Sequence, residues 1–224
     1  MAQPMNMKIF YGVLVVIVLV GVGAIWMARG QGGGGVEVAP VSAAAIQAAS
    51  GFGGHVMGSE SAPVEIVEYA DFQCPACSRF AIVTGPDVKR RIVDEGLARW
   101  RFRDFPLDQH QHAVPAHHAA ACAGEQGKFW PMHDQLFFYQ NEWAVDRRPY
   151  RRFEDYAEAV AVDMGQYREC MEEGRYLAQI EASKQQGIEA GVGSTPSFII
   201  GGRMYAGVLA YDSIKVYVER SAAQ

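Results

Sequence analysis

A strand-like run that leads into two cysteines spaced two residues apart constrains this chain more than any other feature. Val64 to Tyr69 (VEIVEY) is rich in β-branched residues and sets Val64 and Ile66 against Glu65, the pattern of a strand with unequal faces. Cys74-Pro75-Ala76-Cys77 follows within a few residues, and Pro75 suits a first helical turn, where its missing N–H leaves no bond unmade. Gly85-Pro86 is expected to break or kink that helix, after which Val88, Ile92 and Val93 resume an apolar face. Trp100 to Phe105 (WRFRDF) alternates aromatic with charged residues and reads as the next strand. The outcome is a βαβ unit with CxxC at the strand-to-helix switch. A CxxC there is half a zinc site, a structural disulfide or a redox centre, and the rest of the chain must choose.

The remainder supplies an architecture. Helical patterns run over 117–126, 128–139, 153–162, 166–172 and 175–190, separated by glycines and short polar joints. Ser197 to Ile200, the Gly201-Gly202 turn and Arg203 to Ala206 read as a hairpin, and a helix is expected from Tyr211 to Arg220. With 224 residues, half of them hydrophobic, the chain can bury a core without disulfides to compensate. Four cysteines therefore point to chemistry plus one staple. The net charge of -5 argues against nucleic acid as a partner, since phosphate binding needs a basic surface. Lys89-Arg90-Arg91 and Arg147-Arg148 read as solvated faces.

Disulfide exchange needs an attacking thiolate and a second thiol near enough to expel the mixed-disulfide partner. CxxC on a first helical turn provides both. Cys74 at the helix N-terminus faces backbone N–H groups and the positive end of the dipole, conditions that lower a thiol pKa to about 3.5–7.5. Cys77, one turn in, is expected to be the buried resolving thiol. If these two pair, the remaining intramolecular bridge joins Cys122 to Cys170, with a second redox relay or free thiols as alternatives. Met164, Tyr167, Cys170 and Met171 share one helical face, so Cys170 is expected to be buried. A different class is a zinc or copper carrier built on Cys74, Cys77 and the six histidines. A structural zinc site needs a second CxxC or a well-spaced histidine pair. His112, His117 and His118 read instead as a helix start with a solvated face, and His133 as a core-edge histidine. The reading requires no cofactor and no metal.

Ile9 to Ala28 is a 20-residue run without a charge, long enough at ~1.5 Å per residue to cross a bilayer's hydrocarbon core. We read it as an uncleaved anchor. The competing signal peptide would have a shorter apolar region followed closely by a small-residue cleavage site. Lys8 and Arg29 flank the run evenly, so orientation rests on the cysteines, which fit an oxidising, extracytoplasmic side. The organisation is then a tail (1–8), the anchor (9–28), a glycine-rich flexible linker (29–54), a first half-domain (55–108), a helical insertion (109–191) and a second half-domain (192–224).

Four stretches carry a family resemblance. Ala62 to Cys77 (APVEIVEYADFQCPAC), Phe102 to Leu107 (FRDFPL), Cys122 to Trp130 (CAGEQGKFW) and Gly191 to Phe198 (GVGSTPSF) together resemble the DsbA-like thiol:disulfide oxidoreductases. The resemblance implies a thioredoxin-like α/β fold, βαβ then ββα, interrupted by an all-helical domain. It implies that Glu68 relays the proton of the buried cysteine, and that Pro196 is cis and faces CxxC, leaving Thr195 to pair with an extended substrate. Pro75-Ala76 lacks the histidine of the family's strongest oxidants, which suggests a milder oxidant. Implied partners are reduced exported proteins and a quinone-linked membrane reoxidase, DsbB- or VKOR-like. A reductase or isomerase is the alternative, the dimeric isomerase being disfavoured because no separate dimerisation domain is visible.

Overall fold

The computed structural model describes residues 51–223. The tail, the anchor over 9–28 and the linker up to residue 50 lie outside the described residues. Within them, no helix is long and apolar enough to cross a membrane.

Five strands form one sheet in the order β1-β3-β2-β4-β5: β1 (His55–Met57), β2 (Glu65–Ala70), β3 (Arg99–Asp104), β4 (Ser197–Ile200) and β5 (Arg203–Ala206). Only β2 and β3 run parallel, with Ile66 opposite Trp100 and Glu68 opposite Phe102; the other pairs are antiparallel. A parallel pair needs a crossover, and the CxxC helix supplies it. That helix comprises α1 (Pro75–Arg79), a π segment (Phe80–Thr84), α2 (Gly85–Val88) and a second π segment (Lys89–Val93). The expected break at Gly85-Pro86 is therefore a local widening: the helical path continues, with Pro86 in the first turn of α2.

The insertion between β3 and β4 holds α3 (Ala113–Gly124), α4 (Phe129–Phe138), α5 (Gln140–Trp143), α6 (Pro149–Ala159), α7 (Met164–Glu173) and α8 (Leu177–Glu189); α9 (Tyr211–Ala222) follows β5. Helix α3 begins four residues before the expected His117, because Pro115 sits in its first turn, where no N–H is needed. That extension corrects the solvated-face reading: His117 is fully buried and His118 only 3% exposed. His133 also lies in the core, at 3%. Strand β1 and helix α5, of three and four residues, carry no readable periodicity.

Alternation in the strands sorts the sheet's two faces. Ile66, Trp100, Phe198 and Ile200 pack with Phe80, Val88 and Ile92 of the crossover and with Ile214 and Val218 of α9. Behind the sheet Tyr69, Phe105 and Val192 form a smaller cluster. Helix α8 covers that side through Gly187, where a Cβ would stand 2.7 Å from a Phe105 ring carbon. The largest cluster joins Phe72, Cys77 and Phe102 to the interior of the insertion, including Met132, Trp143, Phe153 and Tyr167. CxxC thus sits where the sheet core and the insertion core meet.

Candidate active site

Backbone and side-chain hydrogen bonds hold the loop between β2 and α1. Cys74 is the N-cap of α1, in an extended conformation (φ -75, ψ 121), and its N–H donates to Asp71 O at 3.0 Å. The buried Asp71 carboxylate accepts from Gln73 N at 2.6 Å, from Leu107 N at 2.8 Å and from His110 Nδ1 at 2.7 Å. It thereby ties the loop after β2 to the loop after β3. Gln140 of α5 donates from its amide nitrogen to Phe72 O (2.6 Å) and Cys74 O (3.0 Å). Gln73 reaches the other way, donating to Ala144 O and accepting from His112 N. Phe72 N donates to His117 Nε2 at 3.4 Å, which leaves Nδ1–H to donate to Asp104 Oδ1 at 2.6 Å. Burial opposes ionisation of Asp104, yet the His117 hydrogen bond and nearby positive charge hold its carboxyl below the usual value.

The two cysteines are unbridged thiols with unequal environments. Cys74 is lowered to about 5, chiefly by a hydrogen bond from the Cys77 thiol, against burial and with help from Thr195 and the backbone of Cys77 and Ala76. The backbone donors exist because the cysteine caps a helix whose first N–H groups have no helical partners, and the Cys77 thiol is in reach because it lies one turn on. Cys77 is fully buried, and desolvation pushes its thiol well above the ordinary value, with Cys74 and Glu68 adding to the rise. Pro75 and Ala76 bring no charge between them.

Glu68 lies in the interior of β2, two residues before its end. Only 1% exposed, it accepts one hydrogen bond, from Trp100 Nε1 to Oε2 at 2.9 Å. Burial pushes its carboxyl up to about 8, more than that bond restores. On the other side, the Thr195–Pro196 peptide is cis, and Cys74 Sγ lies 3.5 Å from Thr195 O. The structure therefore brings Cys74, Cys77, Glu68, Thr195 and Pro196 into one site. Cys122 and Cys170 are bridged to each other within the insertion, between α3 and α7. Asp71, Gln140, the His117–Asp104 pair and Trp100 were not singled out from sequence. Asp71 and Trp100 lay inside motifs already quoted, whereas Gln140 gave no signal, since nothing local distinguishes it from a surface glutamine.

A low-pKa thiol capping a helix, a buried partner thiol one turn on, and a cis-proline loop against them define the fold and site of the thiol:disulfide oxidoreductases. The chain matches the thioredoxin family model over residues 51–220 and belongs to that family. Among solved structures it is similar to oxidised BdbD from Bacillus subtilis (TM-score 0.68, 21% identity, 75% of this chain and 92% of that one). It is similar also to Chlamydia trachomatis DsbA (TM-score 0.67, 18% identity, 75% and 91%). Among curated proteins, Na(+)/H(+) antiporter NhaA 3 of Salinispora tropica is 36% identical over 165 residues, 73% of this chain but 24% of that protein. The chain thus spans about a quarter of the length of the curated relatives it matches.

Proposed function

We propose that this chain is a protein disulfide oxidase, which passes the Cys74–Cys77 disulfide to reduced exported proteins. The observation that carries the reading is the inequality of the two thiols: Cys74 lowered to about 5, Cys77 raised and buried. Stabilising the thiolate stabilises the dithiol state, and a stable dithiol makes the corresponding disulfide a strong oxidant. In the forward direction a substrate thiolate attacks the Cys74 sulfur, and Cys77 leaves. Glu68, a neutral acid at neutral pH, supplies the proton that Cys77 takes up in its buried position. A second substrate thiolate then attacks the substrate's own sulfur in the mixed disulfide and expels Cys74 as a thiolate. The substrate loses two electrons and the CxxC pair gains them. Thr195 and Pro196, against Cys74, suit the binding of an extended substrate backbone.

Reoxidation falls to a quinone-linked membrane protein of the DsbB or VKOR kind; the run over 9–28 supports a single-pass anchor, and the Cys122–Cys170 bridge supports a domain outside the cytoplasm. A reductase or isomerase is the competing reading: redox titration against glutathione separates the reductase, and reshuffling of a substrate with scrambled disulfides separates the isomerase. The oxidase reading expects a potential near those of oxidising pairs, about -120 to -200 mV, whereas about -270 mV would overturn it. Trapping mixed disulfides on Cys77→Ser in cells identifies the partners. Exported chains and a membrane reoxidase are expected.

A further inference from the structure

A second sulfur cluster lies inside the insertion. His118 and Cys122 stand one helical turn apart on α3, and Cys170 comes from α7. One ring nitrogen of His118 and the two sulfurs all lie within 4.8 Å of one another. The three residues are buried, both cysteines fully and His118 to within 3%. The Nε2 of His118 has no hydrogen-bond partner among the described residues. A buried ring nitrogen without a partner gives up its hydration for nothing. In the bridged protein nothing else in this cluster repays that cost.

We propose that reduction of the Cys122–Cys170 disulfide converts this cluster into a binding site for one monovalent copper ion, with the two thiolates and His118 as ligands. A dithiol reductant opens the bridge: its thiolate attacks one cysteine sulfur, the other cysteine leaves, and the reductant's second thiol closes its own disulfide. Two electrons pass from the reductant to the protein, which ends with two thiols. Copper binding then releases both thiol protons to solvent.

The choice of ion follows from the donors. Thiolates are soft and select monovalent copper, zinc or iron–sulfur clusters. Structural zinc takes four ligands, and this dry cluster offers three. Glu125, whose charge reaches His118, is held by Arg175 and Tyr176. A trigonal ion with bonds of about 2.3 Å needs donors roughly 4 Å apart; the bridged sulfurs stand 2.01 Å apart, so opening the bridge must part them by about 2 Å, while the His118 nitrogen lies within 4.8 Å of both. Arg175, whose charge reaches His118 and whose N–H donates to Cys170 O, offsets the negative charge of two thiolates.

The test uses the full chain with Cys74→Ser and Cys77→Ser, so that the CxxC pair binds nothing. Reduced and oxidised protein, freed of reductant under anaerobic conditions, are titrated with monovalent copper against bicinchoninate. Circular dichroism follows the fold throughout. The expected result is one copper per reduced chain and none per oxidised chain, with affinity falling roughly 100-fold or more in His118→Ala. Equal retention by the oxidised form, an affinity indifferent to His118→Ala, or loss of all copper to the chelator overturns the site. So does a reduced chain that loses its helical signal and does not regain it on adding copper. Preferential retention of zinc in a parallel titration overturns the assignment to copper.

Discussion

Glu68 is a carboxylic acid kept neutral by its surroundings, and this gives a stability effect of definite sign. Its folded value, about 8, lies above the ordinary 4.5. The stability it contributes is therefore complete below about pH 4.5 and lost as pH rises through 8, because the unfolded chain ionises first. Glu68→Gln keeps an acceptor for Trp100 Nε1 and removes the titration. Urea melts across this range should show the variant gaining on the parent by roughly 1.4 kcal/mol per pH unit at most. A constant difference across pH 5 to 8 would show that Glu68 ionises freely. The same variant should slow exchange, since Cys77 loses its proton donor. Sequence could place this glutamate on a strand before CxxC. It could not reveal the burial that shifts it, because Trp100, Phe102 and Phe198 reach it from other strands.

At the scale of elements, Gly187 decides how closely α8 lies on the sheet. An alanine in a helix interior normally gains about 1 kcal/mol over glycine. Here its methyl would sit 2.7 Å from a Phe105 carbon and 2.9 Å from a Tyr69 carbon, inside van der Waals contact. Gly187→Ala is expected to destabilise by about 1–3 kcal/mol, the cost of overpacking, as read from chemical denaturation; a gain would mean that α8 can lift off the sheet freely. The longer elements were readable because their residues carry their own periodicity. Strand β1 and helix α5 were not, because each is stabilised by partners far along the chain: β1 by β3, and α5 through Gln140 on the carbonyls of Phe72 and Cys74. The crossover helix shows the same limit: Gly85-Pro86 announces an irregularity, but the helix continues through them as α2, and the π segments fall on either side, at Phe80–Thr84 and Lys89–Val93.

For the whole molecule, the Cys122–Cys170 bridge closes a loop with a sequence separation of 48. In the chain-entropy model this stabilises the fold by about 4 kcal/mol, so the double serine variant should melt roughly 10 °C lower. Its disulfide exchange rate should match the parent's at temperatures where both are folded. Lost exchange in a folded variant would instead make the second bridge part of the redox chemistry. Local chemistry was enough to read the strand–helix–strand unit around CxxC, the helix-capping cysteine pair and the closing hairpin and helix, since strand alternation, proline position and cysteine spacing act over a few residues; the thioredoxin-like fold class came from the family resemblance. Only tertiary packing decided which groups are dry and which polar atoms meet. Burial makes Glu68 a neutral acid, turns His117 and His118 inward, and sets Gln140 on the active-site loop. Desolvation depends on everything that surrounds a group, and its neighbours here come from strands and helices distant in sequence.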